Sequence, residues 1–290
     1  MLTKYNVLRK YHLLYCSLLS VAFISCKKDA ATEDQDNKHG NPTSYLLEQI
    51  SYEQPGGAGG TNVNFLYNQD IKVSEVQRIG WFYVTHNNNP PVREETLLSY
   101  KFEYVNHLPV RCTLRDGLAW WTFDYEYAGD NIVKKTIRYA NGSEVQDSTL
   151  YKYDLKGNLT EAAVYKEKIR SKDEYLYETD AVSKIHYFFD ALPAHKSKTV
   201  YSGFDKRINV IRTANGLPKM FLAEEFPFLL VATLTSTNAT QSNYSALVGI
   251  NEDFGRLKAS KFEYKYNEEG LPTALNHGLF TDFFKYRKIK

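Results

Sequence analysis

The chain alternates aromatic and polar residues with a period of two in LSYKFEY (98–104), WTFDYEY (121–127), TLYKY (149–153) and SKFEYKY (260–266). In the last of these, Phe262, Tyr264 and Tyr266 fall on one face and Lys261, Glu263 and Lys265 on the other. Successive side chains of a strand point to opposite faces, so each stretch predicts a half-buried antiparallel strand, aromatic inward and charged outward. Helical periodicity is nearly absent. Two stretches depart from alternation: LPKMFLAEEF (217–226) predicts a short helix after Pro218, and FPFLLVATL (226–234) is a continuous apolar run suited to a strand covered on both faces. Together they suit a helix that closes one end of a curved sheet.

The strands recur. Aromatic pairs separated by one residue stand at Phe65/Tyr67, Phe102/Tyr104, Tyr125/Tyr127, Tyr151/Tyr153, Tyr175/Tyr177 and Tyr264/Tyr266, with steps of 23, 26 and 24 residues from Tyr104 to Tyr127, Tyr153 and Tyr177. That spacing fits one hairpin per unit, stacked as a meander. After Tyr153 come Asp154, Gly157 and Thr160; after Tyr266 come Asn267, Gly270 and Thr273 at the same offsets. An Asp or Asn at the start of a tight turn accepts hydrogen bonds from the turn's own backbone, and a glycine three residues on takes a left-handed conformation that a side chain makes costly. The four residues Asp154, Gly157, Asn267 and Gly270 therefore read as turn architecture. Looser versions are read after Tyr127, with Asn131 in the glycine's place, and after Tyr177.

Tyr153-Asp154 with Gly157-Asn158-Leu159-Thr160 resembles the core of the YD repeat, the short β-hairpin unit of large bacterial shell-forming and cell-surface proteins. The wider combination is a CKKD start at Cys26, aromatic hairpins, and GLP at 216–218 and 270–272. It resembles a family of uncharacterised Gram-negative envelope lipoproteins associated with an extended antiparallel sheet described as porin-like. The resemblance covers most of residues 45–290, with about 190–255 departing from the repeat, and it implies a fold without an assigned activity. The expected class is all-β: a large antiparallel meander of YD-repeat-like hairpins forming a curved sheet or partly closed barrel, with one short helix near 217–226.

Composition and charge refine this picture. Twenty-three tyrosines and 16 phenylalanines are the residues that pleated, half-covered surfaces favour. Residues 1–25 have the layout of a secretory signal, with Lys4, Arg9 and Lys10 before an apolar run from Leu13 to Ile24. Ser25-Cys26 resembles the lipobox of bacterial lipoproteins, which implies lipid attachment at Cys26. The polar stretch 26–44 reads as a flexible tether and 45–290 as a single β-rich domain. Removing residues 1–26 takes away three basic and no acidic residues, leaving 33 Lys and Arg against 34 Asp and Glu. A near-neutral mature chain gives no support to a nucleic-acid partner. Cys112 is then the only cysteine outside the signal and the lipid site, so no internal disulfide is expected, and its apolar context reads as core.

The candidate chemistry is sparse. PGGAGG (55–60) lacks the Lys-Ser/Thr of a phosphate-binding loop and reads as a hairpin connection. His86, His107, His186, His195 and His277 are scattered without metal-ligand spacing and read as loop or strand-end residues, so neither metal nor cofactor is expected. Asp124 and Glu126 share the polar face of one strand, the arrangement a glycoside hydrolase would need in a pocket, but charge alternation on a solvated face produces such pairs everywhere. No catalytic residue is assigned. By alternation Trp121 belongs to the aromatic face and Trp120 to the polar face, making Trp120 the candidate ligand contact.

The expected protein is a non-catalytic lipoprotein of the outer membrane, held by its lipid. Loops at 86–95 and 191–198 would contact a glycan or an envelope protein. The periplasmic and cell-surface faces of the membrane are both open. A glycan hydrolase using sheet-face carboxylates is the alternative. A membrane-crossing barrel fits less well, because the alternating stretches are mostly five to seven residues long, shorter than the roughly 9–11 needed to cross.

Overall fold

The computed structural model describes residues 44–53, 57, 59–84, 91–139, 144–190, 194–205, 207, 214, 216–218, 220–221, 224, 238–248, 258–276 and 280–289. Cys26 lies outside these residues, as do residues 1–43, which cover nearly all of the segments read from sequence as signal and tether, and the apolar run at 226–234.

The strands are β1 (Tyr45–Glu53), β2 (Gly59–Tyr67), β3 (Val73–Val84), β4 (Val92–Val105), β5 (Leu108–Asp116), β6 (Ala119–Ala128), β7 (Asn131–Tyr139), β8 (Glu144–Tyr153) and β9 (Leu159–Lys166). They continue with β10 (Lys168–Tyr177), β11 (Ala181–Phe188), β12 (His195–Phe204), β13 (Ala239–Val248), β14 (Lys258–Lys261), β15 (Glu263–Tyr266), β16 (Pro272–Asn276) and β17 (Thr281–Lys288). All belong to one antiparallel sheet in which chain neighbours pair, and β1 pairs with β17 as well as with β2. β14 and β15 are two halves of one strand that meet at Phe262; the first half pairs with β13 and the second with β16. The meander therefore curls until its last strand meets its first, with that handover as a seam. This is the arrangement of a partly closed barrel.

The walls are longer than the alternating stretches suggest, with 12 residues in β3 and 14 in β4. Backbone pairing continues beyond the aromatic core into polar ends, because the ladder does not depend on side-chain type. The segment 195–198, read from sequence as loop, belongs to β12, and residues 92–95 belong to β4.

Outward faces carry cross-strand charge pairs. Arg111 and Arg138 flank Asp124 at 2.6 and 3.2 Å, Lys134 meets Glu126 at 2.7 Å, Lys152 meets Glu161 at 2.8 Å, and Glu48 faces Lys285 and Arg287. Inward faces of β1 to β5 hold Ile50, Val63, Phe65, Val76, Tyr100, Phe102 and the fully buried Cys112. Against them lies the short helical stretch expected near 217–226. Met220, Phe221 and Glu224 are helical, and the Phe221 amide donates to the Pro218 carbonyl at 2.9 Å. Phe221 meets Tyr100 and Phe102 edge-on, with ring centroids 5.2 and 5.1 Å apart.

One end of the barrel is organised by the repeated tyrosines. Asp154 accepts from the backbone amides of Lys156 and Asn158 at 2.8 and 2.9 Å, and Gly157, at φ 81°, donates its amide to the Asp154 carbonyl. Asn267, Gly270 (φ 79°) and Leu271 reproduce the turn, with the Leu271 amide 2.8 Å from Asn267 Oδ1. A third copy follows Tyr67: Asn68 Oδ1 accepts from the Lys72 amide at 3.0 Å, and Ile71 occupies the glycine position at φ 61°. The looser version after Tyr127 is a different turn. Asn131 already pairs with Ala128 as the first residue of β7, and Gly129 takes the positive φ of 60°. After Tyr177 the chain again turns in two residues, the Glu178 amide meeting the Ala181 carbonyl.

Five of the tyrosines that precede a turn, and Tyr286 in β17, reach sideways to the neighbouring strand, whereas Tyr266, before the Asn267 turn, donates to the Asp205 carboxylate. Tyr67 donates to the Leu47 carbonyl, Tyr104 to Val73, Tyr127 to Pro109, Tyr153 to Ile132, Tyr177 to Leu159 and Tyr286 to Pro272, at 2.6–3.0 Å. A register shift directly precedes Tyr67, Tyr104, Tyr127, Tyr153 and Tyr266, the local bend that re-aims a side chain. Burial raises these phenols, Tyr153 and Tyr177 to about 12. The motif thus stitches strand to strand around one rim.

Candidate functional site

Alternation places a second, polar surface on the inside of the same wall. On β10 the inward residues are Ser171, Asp173 and Tyr175; on β11 they are Lys184 and His186; on β12 they are Ser197, Thr199 and Tyr201. Register brings them level: His186 lies opposite Asp173 on one side and Ser197 on the other, and Lys184 lies opposite Thr199. With Lys135 and Thr149 from β7 and β8, Ala162 from β9 and Glu224 from the helical stretch, they wall a cavity of about 620 Å³. That volume is within the range of about 300–1,000 Å³ usual for small-molecule sites.

The charges inside are matched one to another. Asp173 Oδ1 is 2.6 Å from His186 Nδ1, Asp173 Oδ2 is 3.0 Å from Lys184 Nζ, and the Tyr175 phenol donates to Oδ2 at 3.3 Å. Burial raises the Asp173 carboxyl, but the His186 hydrogen bond and the Lys184 charge outweigh it and hold the group below the ordinary carboxylate range. On the facing side Lys135 Nζ donates to Glu224 Oε2 at 2.5 Å and the Tyr151 phenol donates to Oε1 at 2.8 Å. Tyr151 is pushed well above its usual value by burial and by the Glu224 charge. Glu224 is thus what ties the helical stretch to β7 and β8. Among the described residues no group of three or more His, Cys, Asp or Glu side chains is placed to hold a metal ion.

The residues singled out from sequence lie elsewhere. Trp120 is 39% exposed on the outward face of β6, opposite Arg115 and on the other side of the wall from the cavity. Trp121 turns inward, its ring 5.5 Å from Tyr139. Asp124 and Glu126 are outward and each engaged by a cation, so they share no pocket with a substrate. Asp154, Gly157, Asn267 and Gly270 form the two turns described above. His107 stands at a turn, 3.2 Å from Asp130, and His195 begins β12, whereas His86 and His277 are outside the described residues. His186 is neither loop nor strand end but lies within β11. Of the PGGAGG stretch, Gly59 and Gly60 are strand, and Gly60 lacks a side chain because Trp81 lies over it: a Cβ there would come within 2.2 Å of the indole.

The polar cluster was missed because reading every charged residue of an alternating strand as outward fails on β10 and β11. Asp173 stands two before Tyr175, and Lys184 and His186 stand two and four after Val182, so each shares its face with a buried residue. That phase relation was the available signal.

No protein-family model matches the chain, and no curated protein does. Among solved structures, the chain is similar to the crystal structure of a porin-like protein from Bacteroides uniformis, at 13% identity and a TM-score of 0.56, covering 85% of this chain and 97% of that one. At this identity the likeness is one of fold, and it defines the class as a porin-like antiparallel β architecture.

Proposed function

We propose that the protein is a lipid-anchored envelope lipoprotein that binds a small polar solute inside its barrel and does no chemistry on it. The observation that carries this reading is the cavity walled by Asp173, Lys184, His186, Lys135 and Glu224, in which each carboxylate already has a cation partner. A glycan hydrolase needs one carboxyl held protonated to act as acid; Asp173 is shifted the opposite way. The outward face supports a barrel carried beside the membrane by the lipid at Cys26, since a wall that crosses lipid presents an apolar band where this one presents ion pairs. Strand length does not weigh against crossing, since β3 and β4, at 12 and 14 residues, exceed the roughly 9–11 that crossing requires.

The test has two parts. Cys26→Ser in the full chain should move the protein from the membrane to the soluble fraction. Titration calorimetry with maltose, glucuronate and glucosamine should show binding of at least one probe without turnover, lost in Thr199→Phe, which fills the cavity from β12. Release of monosaccharide from maltose, or binding that survives Thr199→Phe, would sink the reading.

A further inference from the structure

Resting on the cavity as a binding site, the geometry points to its ligand class: a neutral, polyhydroxylated molecule of mono- or disaccharide size, recognised by a charge-balanced wall. Three features of the wall converge on this class.

The first is compensation. Asp173 is engaged by Lys184 and His186, and Glu224 by Lys135 and Tyr151, so a ligand bearing a net charge would shed its water without meeting an unmatched partner. A neutral ligand keeps the balance.

The second is the mixture of hydrogen-bonding roles. Ammonium groups only donate, and carboxylates only accept, each with about four lone-pair directions of which the internal bonds use some. Ser171, Ser197, Thr199 and Thr149 do both. Within a few strands the wall alternates donor, acceptor and hydroxyl: Asp173 faces His186, Lys184 faces Thr199, and His186 faces Ser197. A ligand rich in O–H groups, each both donor and acceptor, matches such a surface, and hydrogen bonds to its charged members are the stronger kind.

The third is preorganisation. The polar side chains are held by one another on rigid strands, so little ordering remains to be done when the ligand arrives. Tyr175 and Tyr201, buried at the cavity wall, add ring surface beside the hydroxyls.

The balance itself supplies the test. Calorimetry on the full-length protein should give maltose an affinity at least about tenfold above glucuronate and glucosamine. Asp173→Asn keeps the shape but leaves Lys184 and His186 without their carboxylate. It should weaken maltose about tenfold and move glucuronate ahead of it. Lys184→Met should shift preference toward glucosamine, and Ser197→Ala should weaken maltose without changing the ranking. Retained strand content by circular dichroism checks each variant. A charged probe that binds best to the unaltered protein overturns the ligand class and leaves cavity binding standing. An unchanged ranking in both Asp173→Asn and Lys184→Met overturns charge balance as its basis. No binding of any probe at about 10 mM, the weak end of specific association, overturns this inference and the binding reading together.

Discussion

The two sides of the barrel interior are built from the same strand repeat and put to opposite uses. Along β1 to β5 the inward positions are Val63, Phe65, Val76, Tyr100 and Phe102, and Phe221 fills the space between them. Along β7 to β12 the corresponding positions include Lys135, Asp173, Lys184 and His186, and the space is a cavity. Nothing in the backbone demands this difference, since both sides are antiparallel hairpins joined by tight turns at the same rim. What differs is which side chains occupy one phase of the alternation. The apolar side removes surface from water and supplies stability; the polar side leaves that gain unrealised, which a fold sustains only where the groups are satisfied among themselves.

The sharpest way to break the comparison is to truncate the residue that makes one side solid. Phe221→Ala should cost about 3–5 kcal/mol, as for a buried aromatic between two others. Thr199→Val, a change of similar shape on the cavity side, should cost under about 1 kcal/mol. Urea denaturation of both variants measures the difference directly, and equal losses would mean that the cavity side contributes as a core does.

Alkaline titration is expected to act on both sides alike, since burial raises Tyr67 and Tyr104 on the solid side as well as the phenols of the cavity side. The Tyr153, Tyr177 and Tyr201 phenols are raised by burial to about 12, against an ordinary value near 10. A raised value means that the folded state holds the proton more tightly than the unfolded one. The resulting stability is complete below about pH 10 and is lost as pH climbs from there through about 12. The melting temperature should therefore fall steeply across that window, with phenolate absorbance near 295 nm rising together with unfolding. A melting temperature unchanged from about pH 10 to about pH 12 would contradict it.

A smaller effect separates the rim from the lumen. Tyr104 bonds the Val73 carbonyl on the solid side, and Tyr153 bonds the Ile132 carbonyl on the cavity side. Tyr153→Phe should cost about 0.5–1.5 kcal/mol for its one hydrogen bond, and Tyr104→Phe that or somewhat more, because its hydroxyl also lies 3.1 Å from the Gly216 carbonyl. The chain carries its own example in Phe204, which ends β12 without a hydroxyl to donate. Losses differing by more than the about 1.5 kcal/mol that one further hydrogen bond explains would show that the rim shares the asymmetry of the interior.

Much of this architecture was legible in the residues. Tyr151, Tyr153 and Lys152 sit as alternation requires, two toward the core and one exposed, and the paired motifs at Asp154 and Asn267 form matching turns. The site was not legible, because it depends on which strands become neighbours. Asp173, His186 and Ser197 are drawn together by register across three strands, and Glu224 arrives from a segment outside the repeat. Short-range pattern carries strand phase but not the order in which inward polar residues meet. The third copy of the turn was hidden for a simpler reason: its glycine position holds Ile71.

That substitution gives the smallest and most local contrast between the two sides. The turns after Tyr67 and Tyr153 share their backbone bonds and an amide donated to Oδ1 of Asn68 in one and of Asp154 in the other, yet one places Ile71 at φ 61° and the other Gly157 at φ 81°. A β-branched residue there is held by the surrounding bonds against its own preference, at a cost on the order of 1–3 kcal/mol. Ile71→Gly removes that cost but frees the unfolded chain by about 0.5–1 kcal/mol, so a net gain of roughly 0–2.5 kcal/mol is expected. Gly157→Ala meets no atom within 4 Å, so its expected loss of about 1 kcal/mol is purely conformational. Opposite signs for the two variants in the same denaturation assay would identify the turn's backbone as the determinant. A loss in Ile71→Gly would instead show that the isoleucine side chain contributes contacts worth more than the strain it bears.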